Sequence, residues 1–284
     1  MSIDMGLSLN LIFKLFDFDH HEVGDCDLVI INLNSVFSTT FYPEMIEEFM
    51  DDEDKMQEYV GSISEMFKMV ITKFDNQRII LVYSPEVSNF IDVYENWRME
   101  RYQNKEKNEF AKIIYNHFIN TFNKIDDINP TINIINSKRF DPVIFTHAFI
   151  NIRGYEKEVF LISRDRMDFL NLENENLTMY DGQQFYTKET FKDHEVGKLP
   201  NIDIRFLKYY YRLRGIYKYD YPGVRGYGEK RSVRYIKKNL SKLVDGEDKH
   251  IDEEFVLFDF GKFIANLSED DYNDLLDIIN GCKF

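Results

Sequence analysis

The chain has 284 residues, 44% apolar and 15% aromatic, with 35 basic and 50 acidic side chains and a net charge of −15. That length gives one large domain or two modest ones a real core, and the composition excludes a disordered or fibrous chain. Two cysteines, Cys26 and Cys282, cannot make a disulfide framework or a four-ligand zinc site.

No basic stretch leads into a long apolar one at the N-terminus, and no run approaches a membrane span. A cytoplasmic protein of a reducing compartment, away from the membrane, is therefore expected. The first strand signal is the short apolar run Asp27–Asn34, ending in polar residues as a buried parallel strand does. Apolar residues near helical spacing over 44–74 predict an acidic helix, and Arg78–Tyr83 is a second strand closed by Ser84-Pro85. A long helical pattern from Trp97 to Phe122 and a strand at 131–135 follow, then a helix from Asp141 and a strand at Glu158–Ser163. Strands alternating with helices predict an α/β fold with a mostly parallel central sheet. Beyond residue 200 the chain turns helical, with a last strand at Phe255–Phe258. A final helix is marked by Ser268 as N-cap, Asp271 three residues on and Gly281 past its end. The expected division is an α/β domain over 1–200 and a helical region over 201–284.

The charge is unevenly distributed. Residues 1–65 carry 15 acidic side chains against Lys14 and Lys55. Between Asp203 and Leu240, 11 basic residues face 3 acidic ones, a net +8 in a chain that is otherwise −23. Such a stretch suits a phosphate backbone, and equally a solvated helix face neutralised by the acidic remainder.

The segment Tyr221-Pro222-Gly223-Val224-Arg225-Gly226-Tyr227-Gly228-Glu229-Lys230-Arg231-Ser232 is the most specific in the chain. Three glycines in six residues between helical patterns predict a hairpin, whose glycines supply positive φ and close backbone approach. Amides at the next helix N-terminus, with Lys230 and Arg231 beside them, can hold a phosphate.

This segment resembles the P-G-V-x-G-I-G-x-K-[TR]-[AS] hairpin of flap-endonuclease-type 5′ nucleases. Other segments follow in the family's order. Ile31–Ser35 is similar to I-D-G-N-S, Val82-Tyr83-Ser84 to F-D-G and Trp97–Arg101 to Y-K-x-x-R. Arg139–Ile144 is similar to E-A-D-D-x-I and Leu161–Phe169 to I-S-x-D-x-D-F. The segment Glu254–Phe260 with its helix resembles the end of the phage RNase H members. The resemblance implies a PIN-like 5′-nuclease fold with a helix–three-turn–helix, and DNA, duplex or branched, as a partner gripped without sequence reading. Arg98, Arg101, Gly223, Gly226, Gly228, Lys230, Arg231 and Ser232 are the implied DNA contacts, with a monovalent cation among the hairpin carbonyls.

Family members cut with two divalent metals held by carboxylates, and here most of those positions differ. By the resemblance, the ligand positions read Asn32, Ser84, Arg139, Pro142, Met167, Ile216 and Tyr219. Asp141, Asp165 and Asp168 are the carboxylates left for catalysis. Asp165 is a metal candidate, and Asp168 another if a one-residue insertion lets it take the place of Met167. So few carboxylates cannot hold two Mg²⁺ or Mn²⁺ ions.

The expected protein is a pseudo-nuclease that binds DNA in phage replication or repair without a metal cofactor. The alternatives are an active Mg²⁺-dependent 5′–3′ exonuclease, flap endonuclease or RNase H with a rearranged site, and a protein-interaction subunit whose acidic N-terminal region holds a partner.

Overall fold

The structure is a computed structural model. It describes residues 16–18, 23, 26–37, 52–72, 74, 77–86, 89–95, 105–122, 132–155, 157–191, 201–248, 250 and 253–282. Arg98, Arg101, the start of the expected helix at 97, residues 44–51 and the expected boundary at 200 lie outside them.

Leu28–Asn32 is apolar up to its last residue and forms the central strand β1, buried on both faces. A short helix α1 (Leu33–Phe37) leaves it, and α2 (Glu53–Ile71) follows, its first turn capped by the Asp52 side chain on the Lys55 amide. Then come β2 (Arg78–Tyr83), α3 (Lys105–Phe122), β3 (Ile132–Asn136), α4 (Pro142–Asn151), β4 (Val159–Ile162), β5 (Leu177–Tyr180) and β6 (Phe185–Tyr186). The strands form one sheet in the order β3-β2-β1-β4-β5-β6, parallel throughout except for β6. The expected mixed α/β architecture with a mostly parallel sheet is what the chain adopts.

Strand alternation sorts the core into two layers. Val29, Ile31, Leu81 and Phe160 face α2 and α3, where Phe37, Phe67 and Phe118 meet edge-on and tilted at 5.1–6.1 Å between ring centroids. Leu28, Ile30, Ile80 and Leu161 face the other way, against α4 and the C-terminal helices. Those are α5 (Leu207–Arg214), α6 (Glu229–Lys238), α7 (Leu240–Val244), α8 (Phe260–Ala265) and α9 (Glu269–Asn280). Apolar residues from both sides of the expected boundary therefore share one core.

The expected strand at 255–258 is instead a 3-10 turn, Glu253–Phe258. Phe255, Leu257 and Phe258 are all buried, with Phe255 stacked on Tyr209 at 4.9 Å and Phe258 edge-on to Tyr221 at 5.1 Å. A short apolar run is buried the same way in a strand or a turn, so its pattern does not separate the two. The last helix starts as read, with Ser268 Oγ accepting from the Asp271 amide at 3.1 Å, but Gly281 closes it in right-handed geometry, at φ −67°. Among the described residues no helix is long and apolar enough to cross a membrane.

Candidate nucleic-acid interface and strand-end carboxylates

The strand order reverses between β1 and β4, where an open parallel sheet presents a crevice at its carboxyl ends. Asn32 ends β1 there, and Ser163, Asp165 and Asp168 follow β4. Asp165 caps a 3-10 stretch, Arg166–Glu173, by accepting from the Met167 amide at 2.9 Å, which turns Asp168 inward and Met167 into the core. Asp168, not Met167, thus stands opposite Asn32, whose Nδ2 donates to Asp168 Oδ2 at 2.8 Å.

A closed hydrogen-bond network surrounds this pair. Asn171 Nδ2 lies 3.4 Å from Asp168 Oδ1 and 3.3 Å from the Val143 carbonyl. Ser163 Oγ contacts both Asp168 Oδ2 and, at 3.1 Å, Ser35 Oγ, while Ser35 spends its own proton on the Asn32 carbonyl at 2.9 Å. Ser163 has one proton for these two oxygen partners, and a protonated Asp168 would supply the second. Electrostatics agree. Complete burial, reinforced by the neighbouring Asp165 and Asp141 carboxylates, pushes Asp168 up to about 8 against the opposing hydrogen bonds from Ser163 and Asn32.

The other substituted positions are likewise filled. Tyr219 is fully buried and donates its hydroxyl to Asp165 Oδ1. Ile216 and Met167 are core residues. Pro142 opens α4, whose N-cap Asp141 accepts from the Val143 amide at 3.2 Å. Ser84 is tied to Asn34 through both backbone atoms, at 3.0 and 2.9 Å, and donates its hydroxyl to the Lys138 carbonyl. Arg139 pairs with Asp92 and, at 3.9 Å, with Asp271 of α9. His147 faces Asn171 at 3.2 Å and packs on Phe260, and burial pushes it down to about 4, the neutral core histidine its apolar helix suggests.

Among the described residues no three His, Cys, Asp or Glu side chains gather closely enough to hold a metal. Nor does the chemistry of the nest fit a pair of divalent ions. The oxygens of Asp168 are met by Asn32, Ser163 and Asn171, and one oxygen of Asp165 already takes two donors.

The basic hairpin lies on α5, the following turn and α6. Gly215 ends α5 at φ 81°, and Gly223 at φ 68° crosses directly over it. A Cβ on Gly223 would stand 2.3 Å from Gly215 N and 2.6 Å from Leu213 O. The Val224 amide donates to Leu213 O at 2.9 Å and the Tyr227 amide to Val224 O at 3.0 Å, and Gly226 has φ 87°. Gly228 is extended, at φ −81°, and enters α6 without any side-chain cap, leaving the first amides of the helix to other acceptors.

Arg225, Lys230, Arg231, Arg234, Lys237 and Lys238 are all exposed. Two of the implied contacts have local duties. Ser232 is buried and donates its hydroxyl to Gly228 O at 3.0 Å, so it holds the turn and does not face a ligand. Arg231 Nη1 donates to Gly226 O at 3.2 Å and its guanidinium covers the Tyr227 ring at 5.0 Å. A fixed cation thus already occupies one of the loop carbonyls where the resemblance implies a monovalent ion.

The sequence misses several members of this arrangement. Asn171 could have been found three residues after Asp168. The Tyr219–Asp165 contact joins residues 54 apart in the chain, and no local pattern announces it.

No protein-family model and no curated protein matches the chain. Solved structures do. The bacteriophage T5 D15 flap endonuclease, in a pseudo-enzyme-product complex with DNA and metal ions, is 16% identical, with 89% of this chain aligned over 99% of that one at a TM-score of 0.59. The same T5 protein co-crystallised with metal ions gives 16% identity, 89% and 98% coverage and a TM-score of 0.60. The T5 5′-exonuclease with bound zinc gives 14% identity, 90% and 99% coverage and a TM-score of 0.61. Identity at this level speaks for architecture, and over nearly its whole length the chain has the 5′-nuclease fold of these phage structures.

Proposed function

We propose that this protein is a pseudo-nuclease that grips duplex or branched DNA by its backbone, without cutting it, in phage DNA replication or repair. The observation that carries the reading is the contrast between its two sites. At the strand ends, polar and apolar side chains fill the positions that metal ligands take in a 5′ nuclease. At the hairpin, uncapped α6 amides and the exposed Lys230, Arg225 and Arg234 remain available to phosphate, as a helix–three-turn–helix requires. The T5 complex with DNA supports DNA as the ligand. No base-reading group is implied, because amides and lysines at a helix start meet phosphates.

Two measurements test this. In a salt titration followed by fluorescence anisotropy, Lys230→Ala is expected to lower the salt slope by about one unit and to weaken all sequences alike. Lys230 is a cleaner probe than Arg231, whose removal also loosens the Gly226 carbonyl. Absence of binding by the wild-type chain at low salt would leave the protein-interaction reading in front.

The second measurement is incubation with end-labelled flap and nicked duplexes in Mg²⁺ or Mn²⁺, where no 5′ product is expected. Product that disappears on Asp165→Ala would establish the rearranged active nuclease instead.

A further inference from the structure

Of the eight tyrosines between residues 209 and 235, seven are at least partly buried. Tyr217 is 89% exposed. It stands on a turn that is fixed from both sides. Ile216 and Tyr221 exchange backbone hydrogen bonds at 2.8 and 3.3 Å, the Tyr219 amide donates to Ile216 O at 2.9 Å, and Asp220 closes the turn in left-handed geometry at φ 56°. The other tyrosines of the turn anchor it inward. Tyr219 reaches Asp165, and Tyr221 packs edge-on to Phe258 at 5.1 Å and to Tyr94 at 5.2 Å. The outward ring therefore rides on a rigid mount, next to exposed Lys218 and on the turn that Pro222-Gly223 continues into the basic hairpin.

A rigid, exposed aromatic side chain with only two rotatable bonds loses little entropy when it stacks. Inside a continuous duplex no base face is open to it. At a gap, nick or end, a base face is open, and Lys218, the next residue in the chain, carries a positive charge suited to an adjoining phosphate.

We propose that Tyr217 is a stacking platform for an unpaired or terminal base, and so makes the protein prefer interrupted DNA to continuous duplex. The inference rests on the DNA-binding reading and adds the residue through which the site distinguishes interrupted from continuous DNA.

The test uses the full chain with two probes of equal length, a continuous duplex and the same duplex interrupted by a short single-stranded gap containing 2-aminopurine. Wild type is expected to bind the gapped probe more tightly and to change its fluorescence. Tyr217→Ala should weaken gapped binding by about 5- to 150-fold, abolish the fluorescence change and leave continuous-duplex binding unaltered. Tyr217→Phe should behave as wild type, because the ring and not the hydroxyl stacks. Thermal melting should be the same for all three, since the side chain lies in solvent. Equal gapped binding by wild type and Tyr217→Ala, or equal losses on both probes, would overturn the stacking role while leaving DNA binding intact. No binding of either probe by wild type would remove the DNA-binding reading and this inference with it.

Discussion

Gly223→Ala is expected to lower the stability of the protein by about 3 kcal/mol or more, a fall in melting temperature of roughly 6–12 °C for a chain of this size. Two costs combine. The residue sits at φ 68°, where a Cβ is strained. The new methyl would also stand 2.3 Å from Gly215 N, 2.6 Å from Arg214 C and 2.6 Å from Leu213 O. All three are backbone atoms of the helix end that the hairpin crosses, so none can swing aside as a side-chain tip would. The same hairpin supplies graded controls. Gly226→Ala, at φ 87° with only the flexible Arg231 Nη1 at 3.4 Å, should cost about 1 kcal/mol. Gly228→Ala, with no heavy atom within 4 Å and ordinary φ, should cost a few tenths as an N-cap exchange, about 1 kcal/mol at most. Urea or thermal denaturation checks the order. Three equal effects would mean that the crossing of Gly215 and Gly223 does not carry the hairpin.

That order shows what sequence spacing can reveal and where it stops. Three glycines in six residues announce a hairpin, and the chain makes one. Their separate duties are a backbone crossing, a left-handed turn and an extended helix start, and the crossing depends on Gly215, which lies outside the segment. The central strands were legible because Leu28–Asn32 and Arg78–Tyr83 are continuous apolar runs buried on both faces. By contrast β5 and β6, four and two residues long, have too little pattern to be read from the sequence. At the strand ends the replaced residues were visible, but their new partners were not. Asn32 and Asp168 are 136 residues apart, and the choice between Met167 and Asp168 depends on a 3-10 turn whose rotation follows from the Asp165 cap. Arg139 shows the same limit. Its place in the motif puts a basic side chain at a ligand position, but nothing in the motif points to its partners, Asp92 and Asp271.

The buried Asp168 gives the second large effect, a stability that falls as pH rises. Its folded pKa, raised to about 8 by burial and by the Asp165 and Asp141 carboxylates, lies well above the ordinary aspartate value of 3.8 that the unfolded chain keeps. Between those two values the folded protein holds a proton that the unfolded chain has lost. The contribution is therefore fully present below about pH 4 and is lost progressively up to about pH 8, with a limiting slope of about 1.4 kcal/mol per pH unit. Asp168→Asn removes the titration and keeps most of the hydrogen bonding. The amide oxygen can accept from Asn32 and the amide nitrogen can donate to Ser163, although the two contacts no longer share one atom. Near pH 4 the variant should be less stable than wild type by about 1–2 kcal/mol for that imperfect fit. Near pH 8 it should equal or exceed wild type, so the two curves of unfolding free energy against pH should cross. Urea denaturation at a series of pH values measures this directly, and the difference between the curves cancels every titration the two proteins share. Parallel curves across the whole range would mean that Asp168 is ionised in the folded protein and takes the single Ser163 proton.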